Sequence, residues 1–394
     1  MFDLRRMRQL RDKVAIVGIG ETDYAEDYRR AGATTQRGSG APYDGYDLAV
    51  KAFKRALEDG GLKIEDIDGV ITSGDINYGR FCEIVGIDPR WAGDEDAPRG
   101  VAMAAFAISM GFADTIALVK STVQRAEGRQ FGGPQASGPL SYTYFSPWGF
   151  NSQGALYAMT FKRHMLKYGT TSEQLAAIPI AFRKAAMLND NAVMQRPLTK
   201  ADYLESRLIV EPLHIYDYCI INDGGVALIL TRADRAKNFK KPPVYVSGIG
   251  RSEMNRESTQ LRPRMDDFYH SSHREVAKQV YGMAGVTQKD IDSYHTYDSF
   301  SVHLLFSLEG FGFCKEGEVG DFIQGGRIEL DGELPCNTSG GMLSESYMQG
   351  WNHQIEIVRQ LRGEARKRQL KKADYIQYVG DAGGNCVSVI YRKG

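Results

Sequence analysis

One pattern occurs twice in this 394-residue chain, and it restricts the fold more than any other feature. An amphipathic helix runs into a glycine, an Asp-Ile-Asp corner and a short apolar strand. The first copy reads Leu62-Lys-Ile-Glu-Asp-Ile-Asp68-Gly-Val-Ile-Thr72, and the second Val286-Thr-Gln-Lys-Asp-Ile-Asp292-Ser-Tyr-His-Thr296. The helices ahead of them align Lys54 with Lys278 and Gly61 with Gly285. Each copy is preceded by a strand that ends Gly-Ile-Gly, Val14–Gly20 and Val244–Gly250. Each is followed by a further strand, Asp114–Val119 and Asp374–Val379, and then by a closing apolar strand, Val226–Leu230 and Val387–Tyr391. Motif pairs in the same order mark an internal duplication. They predict two α/β halves of like topology, packed as a pseudo-dimer in a layered sheet-and-helix body.

The divisions that follow are 1–146 for the first part of the N-terminal half, 147–217 for an insertion, 218–240 for the closing strand of that half, and 241–394 for the C-terminal half. The insertion has no counterpart in the second half. Its periodic apolar residues (Leu156, Met159, Met165, then Leu175, Ile178, Phe182) predict helices laid over a mouth, as a lid or a dimer contact. The Gly-Ser-rich stretch Arg30–Tyr46 reads as a loop or insertion.

Charge removes several function classes. With 49 basic and 49 acidic residues there is no electrostatic case for nucleic acid or an anionic membrane. No apolar run approaches the roughly 20 residues of a membrane helix. The basic start, Arg5 to Arg11, lies too close to the first strand for a transit peptide and reads as a solvated lead-in. Cys82, Cys219, Cys314, Cys336 and Cys386 form no CxxC pair, which points to a reducing cytoplasm and away from zinc cages and disulfides. There is no Walker A loop, G-x-S-x-G elbow or HExxH, and Gly18-Ile-Gly20 lacks the third glycine of a dinucleotide fingerprint.

The informative segments lie in the second half. Tyr297-Asp-Ser-Phe300 sits at the carboxyl end of a predicted strand, where α/β proteins place reactive groups. Cys336-Asn-Thr-Ser-Gly-Gly341 is turn chemistry, followed by Tyr347 ahead of an amphipathic helix. Tyr378-Val-Gly-Asp-Ala-Gly-Gly384 reads as a glycine hairpin whose backbone N–H groups can approach a ligand.

These segments carry a resemblance. Gly18-Ile-Gly-Glu-Thr, Asp66-Ile-Asp-Gly-Val, Asp223-Gly-Gly, Tyr297-Asp-Ser-Phe, Ser307-Leu-Glu-Gly-Phe-Gly-Phe-Cys, Asn337-Thr-Ser-Gly-Gly and Gln360-Leu-Arg-Gly-Glu-Ala occur in the order of the thiolase superfamily. The chain is similar to its branch of sterol-carrier-type thiolases and lipid-transfer-protein-like aldolases. The resemblance implies a thiolase-like α/β fold with two pseudo-symmetric halves in αβαβα layers, which agrees with the duplication. It also shows departures. Thiolases of this branch carry a nucleophilic cysteine just ahead of the helix that begins near Pro98, where this chain has Ala92-Gly-Asp-Glu-Asp-Ala-Pro-Arg-Gly. Their two box histidines are here Tyr297 and Tyr347.

Without a thiolate there is no acyl-enzyme. Paired tyrosines resemble the aldolase subgroup, which implies retro-aldol cleavage of a β-hydroxyacyl-CoA. The implied substrate is a 17-hydroxy steroid side-chain CoA ester, giving a 17-ketosteroid and propionyl-CoA or a similar short acyl-CoA. A phenol of pKa about 10 is only about 0.1% ionised at neutral pH, so acting as a base costs about 4 kcal/mol. As a neutral donor to an enolate it needs no shift. The expectation is that Tyr297 takes the hydroxyl proton with help from a cation or relay, while Tyr347 steadies and protonates the enolate; the reverse order stays open. Asp298, Ser339, Gly340, Gly341, Gly383 and Gly384 are the expected supporting or substrate-binding positions. The hydroxyls should share one pocket with no thiol beside them.

Other groups read as structural. Tyr294 and Tyr378 are expected to pack, His295 and His303 to be satisfied in the core, and Cys82 and Cys336 to be buried apolar residues. Asp94-Glu95-Asp96 reads as helix capping, and Arg366–Lys372 as a solvated helix end. No cofactor or metal is expected beyond the CoA of the substrate. The implied assembly is a homodimer, with a small OB-fold partner joining it in a hetero-oligomer. The competing readings are an acetyl-CoA acyltransferase-type thiolase with a relocated cysteine, and a non-catalytic lipid or acyl-CoA carrier.

Overall fold

The computed structural model describes residues 3–32, 43–129, 146–150, 152–253, 267–382 and 385–394. The duplication is carried out strand by strand. The first half supplies β1 (Val14–Glu21), β2 (Gly69–Gly74), β3 (Trp91–Asp94) and β4 (Thr115–Val123). A small hairpin, β5 (Leu208–Val210) and β6 (Leu213–His214), precedes its closing strand β7 (Asp223–Arg232). The second half supplies β8 (Val244–Glu253), β9 (Ser293–Thr296), β10 (Tyr375–Ala382) and β11 (Asn385–Lys393).

The order across the sheet is β3-β2-β4-β7-β1-β8-β11-β10-β9. In the first half β7 lies antiparallel between β1 and β4, and β2 runs parallel to β4. In the second, β11 lies antiparallel between β8 and β10, and β9 runs parallel to β10. The halves join where Ala15 faces Tyr245 and Ile16 faces Val244. Among the described residues the edge strand β3 has no full counterpart strand, its place beside β9 being marked by a single parallel bridge from Tyr294 to Cys336.

Both recurring motifs have the same physical cause in each half. A Cβ on Gly18 or Gly20 would come within 2.4 or 2.1 Å of the carbonyls of Ala56 and Ala52, in the Gly45–Gly60 helix. A Cβ on Gly248 or Gly250 would come within 2.4 or 2.7 Å of the carbonyls of Val280 and Val276, in the His270–Ala284 helix. The Gly-Ile-Gly strand is therefore what lets a helix lie directly on the sheet. The last aspartate of Asp-Ile-Asp is a splice. Asp68 accepts from the Asp114 and Thr115 amides, and Asp292 from those of Asp374 and Tyr375, which binds each short strand to its parallel neighbour.

Three apolar clusters define the layers. The Gly45–Gly60 helix covers one face, and Arg99–Ser109 with Trp351–Arg362 fill the middle between strands of both halves. His270–Ala284 covers the far face. The result is the expected αβαβα order. No helix among the described residues is long and apolar enough to cross a membrane.

Four local expectations change. A helix, Tyr24–Gly32, takes the start of the segment read as a Gly-Ser loop, and 33–42 lies outside the described residues. Where it is described, the insertion packs on the second half: Phe161, Leu175, Ile178 and Phe182 are buried in one cluster with Phe268, Leu304 and Phe306. Met159, counted in its apolar stripe, is 41% exposed. Arg366–Lys372 is not wholly solvated, because Arg368 is 6% exposed and grips Glu356 with Nη2 to Oε2 at 2.7 Å. The acidic run is not a side-chain cap either. Glu95 pairs with Arg99, Asp94 with Thr72, and Asp96 turns to Ser73 and Lys120.

Candidate active site

β9 ends at Thr296, and the next residue, Tyr297, is held by its amide donating to the Val379 carbonyl of β10 at 2.8 Å. Asn337 clamps the turn of the other box onto the same strand end: its amide accepts from Thr296 N at 2.9 Å and donates to Thr296 O at 3.1 Å. Asn337 holds φ +43, a left-handed conformation that is uncommon outside glycine. The segment just ahead of β7 then stitches both boxes together. Cys219 N donates to Ser299 O, Ile220 N to Met342 O, and Tyr347 N to Asn222 Oδ1 at 2.6 Å.

This frame brings the two phenols into contact, Tyr297 Oη and Tyr347 Oη lying 3.0 Å apart. Tyr297 lines a cleft of about 180 Å³ with Asp96, Arg99, Gln349, Asp381 and Asn385, and Tyr347, 6% exposed, stands behind it. Burial pushes both phenols well above their ordinary ionisation, and either hydroxyl can donate in the bond they share. Neither is a phenolate at neutral pH, and Tyr297 is the one that lines the cleft.

The remaining expected positions frame the pair. Asp298 is fully buried; Oδ1 accepts from Met342 N and His353 Nε2, each at 2.9 Å, and Oδ2 from Leu343 N at 3.2 Å. Gly341, at φ +60, leaves room for that carboxylate, since a Cβ there would stand 2.2 Å from Asp298 Oδ2. Gly340 is pressed against Ala186, and Ser339 donates to Glu345 at 2.6 Å. Ser339, Gly340 and Gly341 thus lie behind the cleft as scaffolding. Gly383 and Gly384 lie outside the described residues.

Tyr294 is wholly buried, edge-on to Phe313, and Tyr378 is buried against Gly350. Cys82 and Cys336 are buried. His303 Nε2 meets Ser299 Oγ at 3.1 Å beside Tyr297, and burial pulls His303 down to about 4 and His295 to about 3. An imidazole depressed in the fold adds stability that is complete above its unfolded value near 6.5 and fades as pH drops towards the folded one. The urea midpoint should therefore fall between pH 6.5 and 4.5, and His303→Gln should flatten that slope by up to about 1.4 kcal/mol per pH unit. A variant slope equal to the parent's would contradict this.

One expectation is corrected at the site. A thiol does stand near the phenols, because Cys219 is close enough to raise the ionisation of both. Burial, then Asp298, pushes that thiol well above its ordinary value, so it is held protonated. The sequence reading also missed Asn222, whose single clue was its place just ahead of Asp223-Gly-Gly.

Comparison with known proteins agrees with this geometry. Residues 255–392 match the family described as thiolase C-terminal domain-like. The chain is 33% identical to the steroid side-chain-cleaving aldolase of Thermomonospora curvata, over 91% of this chain and 92% of that one. It is 34% identical to the 17-hydroxy-3-oxo-4-pregnene-20-carboxyl-CoA lyase of Mycobacterium tuberculosis, over 90% and 92%. The solved Ltp2-ChsH2(DUF35) aldolase superposes with a TM-score of 0.84 at 31% identity, covering 98% of both chains. With that identity over nearly its whole length, the chain belongs to the thiolase superfamily, in the branch of the steroid side-chain-cleaving aldolases.

Proposed function

We propose that this chain is a carbon–carbon lyase that cleaves a β-hydroxyacyl-CoA by retro-aldol chemistry. Its substrate class is a 17-hydroxy steroid carrying a side-chain CoA ester, and its products are a 17-ketosteroid and propionyl-CoA or a similar short acyl-CoA. The observation that carries this reading is the 3.0 Å contact between Tyr297 and Tyr347 in the cleft where a thiolase keeps imidazoles.

As the C–C bond breaks, its electron pair passes to the carbon beside the thioester and forms an enolate. Tyr297, facing the cleft, donates its proton there, and Tyr347 donates a hydrogen bond to the phenolate left behind. Preorganised donors aimed at developing charge are the largest common source of rate enhancement. The burial that raises both phenols argues against the expected role of Tyr297 as the base, since its cost then exceeds the roughly 4 kcal/mol of a free phenol.

The thiolase alternative meets Cys219, whose raised ionisation leaves little thiolate at neutral pH. Iodoacetamide at pH 7 should leave turnover intact, and Cys219→Ala should stay within threefold of the parent. Loss of activity in both would restore the acyl-enzyme route.

The assembly is proposed to be a homodimer joined by a small OB-fold partner. The four-residue edge strand β3 and the exposed Phe106, Met110 and Phe112 (47%, 73% and 60%) at the end of the following helix support a second copy covering this side. A monomer in sedimentation equilibrium would remove that element. Incubation with a 17-hydroxy steroid CoA ester, with and without the partner, should yield a ketone by mass spectrometry. Tight binding with no ketone in either arm would favour the carrier reading.

A further inference from the structure

A buried cation lies against two residues of the tyrosine cleft, Asp96 and Gln349. Lys120 is 1% exposed on β4, and its ammonium reaches Ser73 of β2 at 3.3 Å, Asp96 Oδ1 at 3.5 Å and the Gln349 side-chain oxygen. Burying a lysine is costly unless a counter-charge accompanies it. Burial pulls this ammonium down, and Asp96 is the first carboxylate acting against that. The surroundings are shaped for the pair. Gln349 holds φ +49, a strained conformation of the kind that collects at functional sites. Gly74, at φ +81, passes so close that its Cβ would stand 2.0 Å from Ser121 O.

Asp96 and Gln349 both line the cleft with Tyr297. Asp96 Oδ1 is taken by Ser73 and Lys120, while its side chain is still 35% exposed. One carboxylate oxygen is thus anchored and the other, with no hydrogen bond among the described residues, is left for a ligand. The tyrosine pair supplies a proton but no base. A retro-aldol step requires one, and a positioned carboxylate is a common choice.

We infer that Asp96 is the general base of the reaction and that Lys120 is the positioning residue that holds it. This rests on the aldolase reading. Asp96 takes the proton of the substrate hydroxyl, and that O–H electron pair becomes the second bond of the ketone. The C–C pair moves to the carbon beside the thioester, which receives the Tyr297 proton. The proton on Asp96 then returns to the Tyr297 phenolate, so nothing is oxidised or reduced and both groups are reset.

The test is chemical rescue. Asp96→Ala should lower kcat by 10²-fold or more with KM within threefold, and sodium formate should restore at least tenfold in a concentration-dependent way. Formate should leave the parent and Tyr297→Phe unchanged. Asp96→Asn, which keeps the side-chain volume, should show the same loss of kcat, and the double variant Asp96→Asn/Lys120→Met, which removes the stranded ammonium, should recover melting temperature without recovering turnover. Activity of either variant within threefold of the parent, or a loss that formate does not relieve, would overturn the assignment. A parent protein that yields no ketone would instead count against the aldolase reading itself.

Discussion

Tyr297→Phe and Tyr347→Phe are each expected to lower turnover of a β-hydroxyacyl-CoA steroid by roughly 10²-fold or more, with substrate binding retained. The two hydroxyls form one unit, sharing a hydrogen bond at 3.0 Å, and Tyr297 is the member that lines the cleft. In the proposed mechanism, removing the first hydroxyl deletes the proton donor. Removing the second leaves a phenolate that must form without support in a buried site. Groups that act as a unit are strongly non-additive, so the double variant should fall no more than about threefold below the weaker single one. Multiplicative losses would mean that the phenols act separately. Parent activity within threefold in both single variants would remove the site assignment altogether.

Arg368→Met is expected to have the largest effect on stability. The guanidinium meets Glu356 in two places, Nη2 to Oε2 at 2.7 Å and Nε to Oε1 at 3.2 Å, with Glu356 only 1% exposed. Glu356 also accepts from Thr338, within the turn that Asn337 clamps to β9. Burial would raise the Glu356 carboxyl, and Arg368 outweighs it and holds the group below its ordinary value. Stranding a buried carboxylate costs about 3–5 kcal/mol, whereas replacing both partners by apolar groups is often neutral. Urea denaturation should show that loss for Arg368→Met and a smaller one for the Glu356→Leu/Arg368→Met double variant. The depressed carboxyl also fixes the sign with pH: the pair's stabilisation is present above the unfolded value near 4.3 and is lost as pH falls through the folded one. Equal stabilities for parent and single variant would show that the pair carries no load.

The two halves were legible because a local rule repeats. A strand carrying Gly-Ile-Gly must accept a helix backbone wherever it occurs, and an Asp-Ile-Asp corner must splice two strands. Tyr297 and Tyr347 were legible because each sits in a box whose neighbours fix its place. The contacts missed join distant parts of the chain. Lys120 reads as an ordinary residue near the end of an apolar strand, and its burial follows from Ser73, Asp96 and Gln349, which arrive from three other segments. Arg368 lies in a run of five basic residues that looks uniformly solvated, yet one of them turns inward to Glu356. Cys219 and Asn222 carry no motif of their own, and only the closure of the second half onto β7 brings them to the phenols.

In the proposed mechanism carbon–carbon scission proceeds without a covalent intermediate, with two phenols in place of a thiolate. Intact-protein mass spectrometry of acid-quenched turnover tests it most directly. The expected result is an unmodified protein mass at every time point, while ketosteroid and short acyl-CoA accumulate together. An acyl adduct that forms on the protein and decays at the rate of turnover would contradict it.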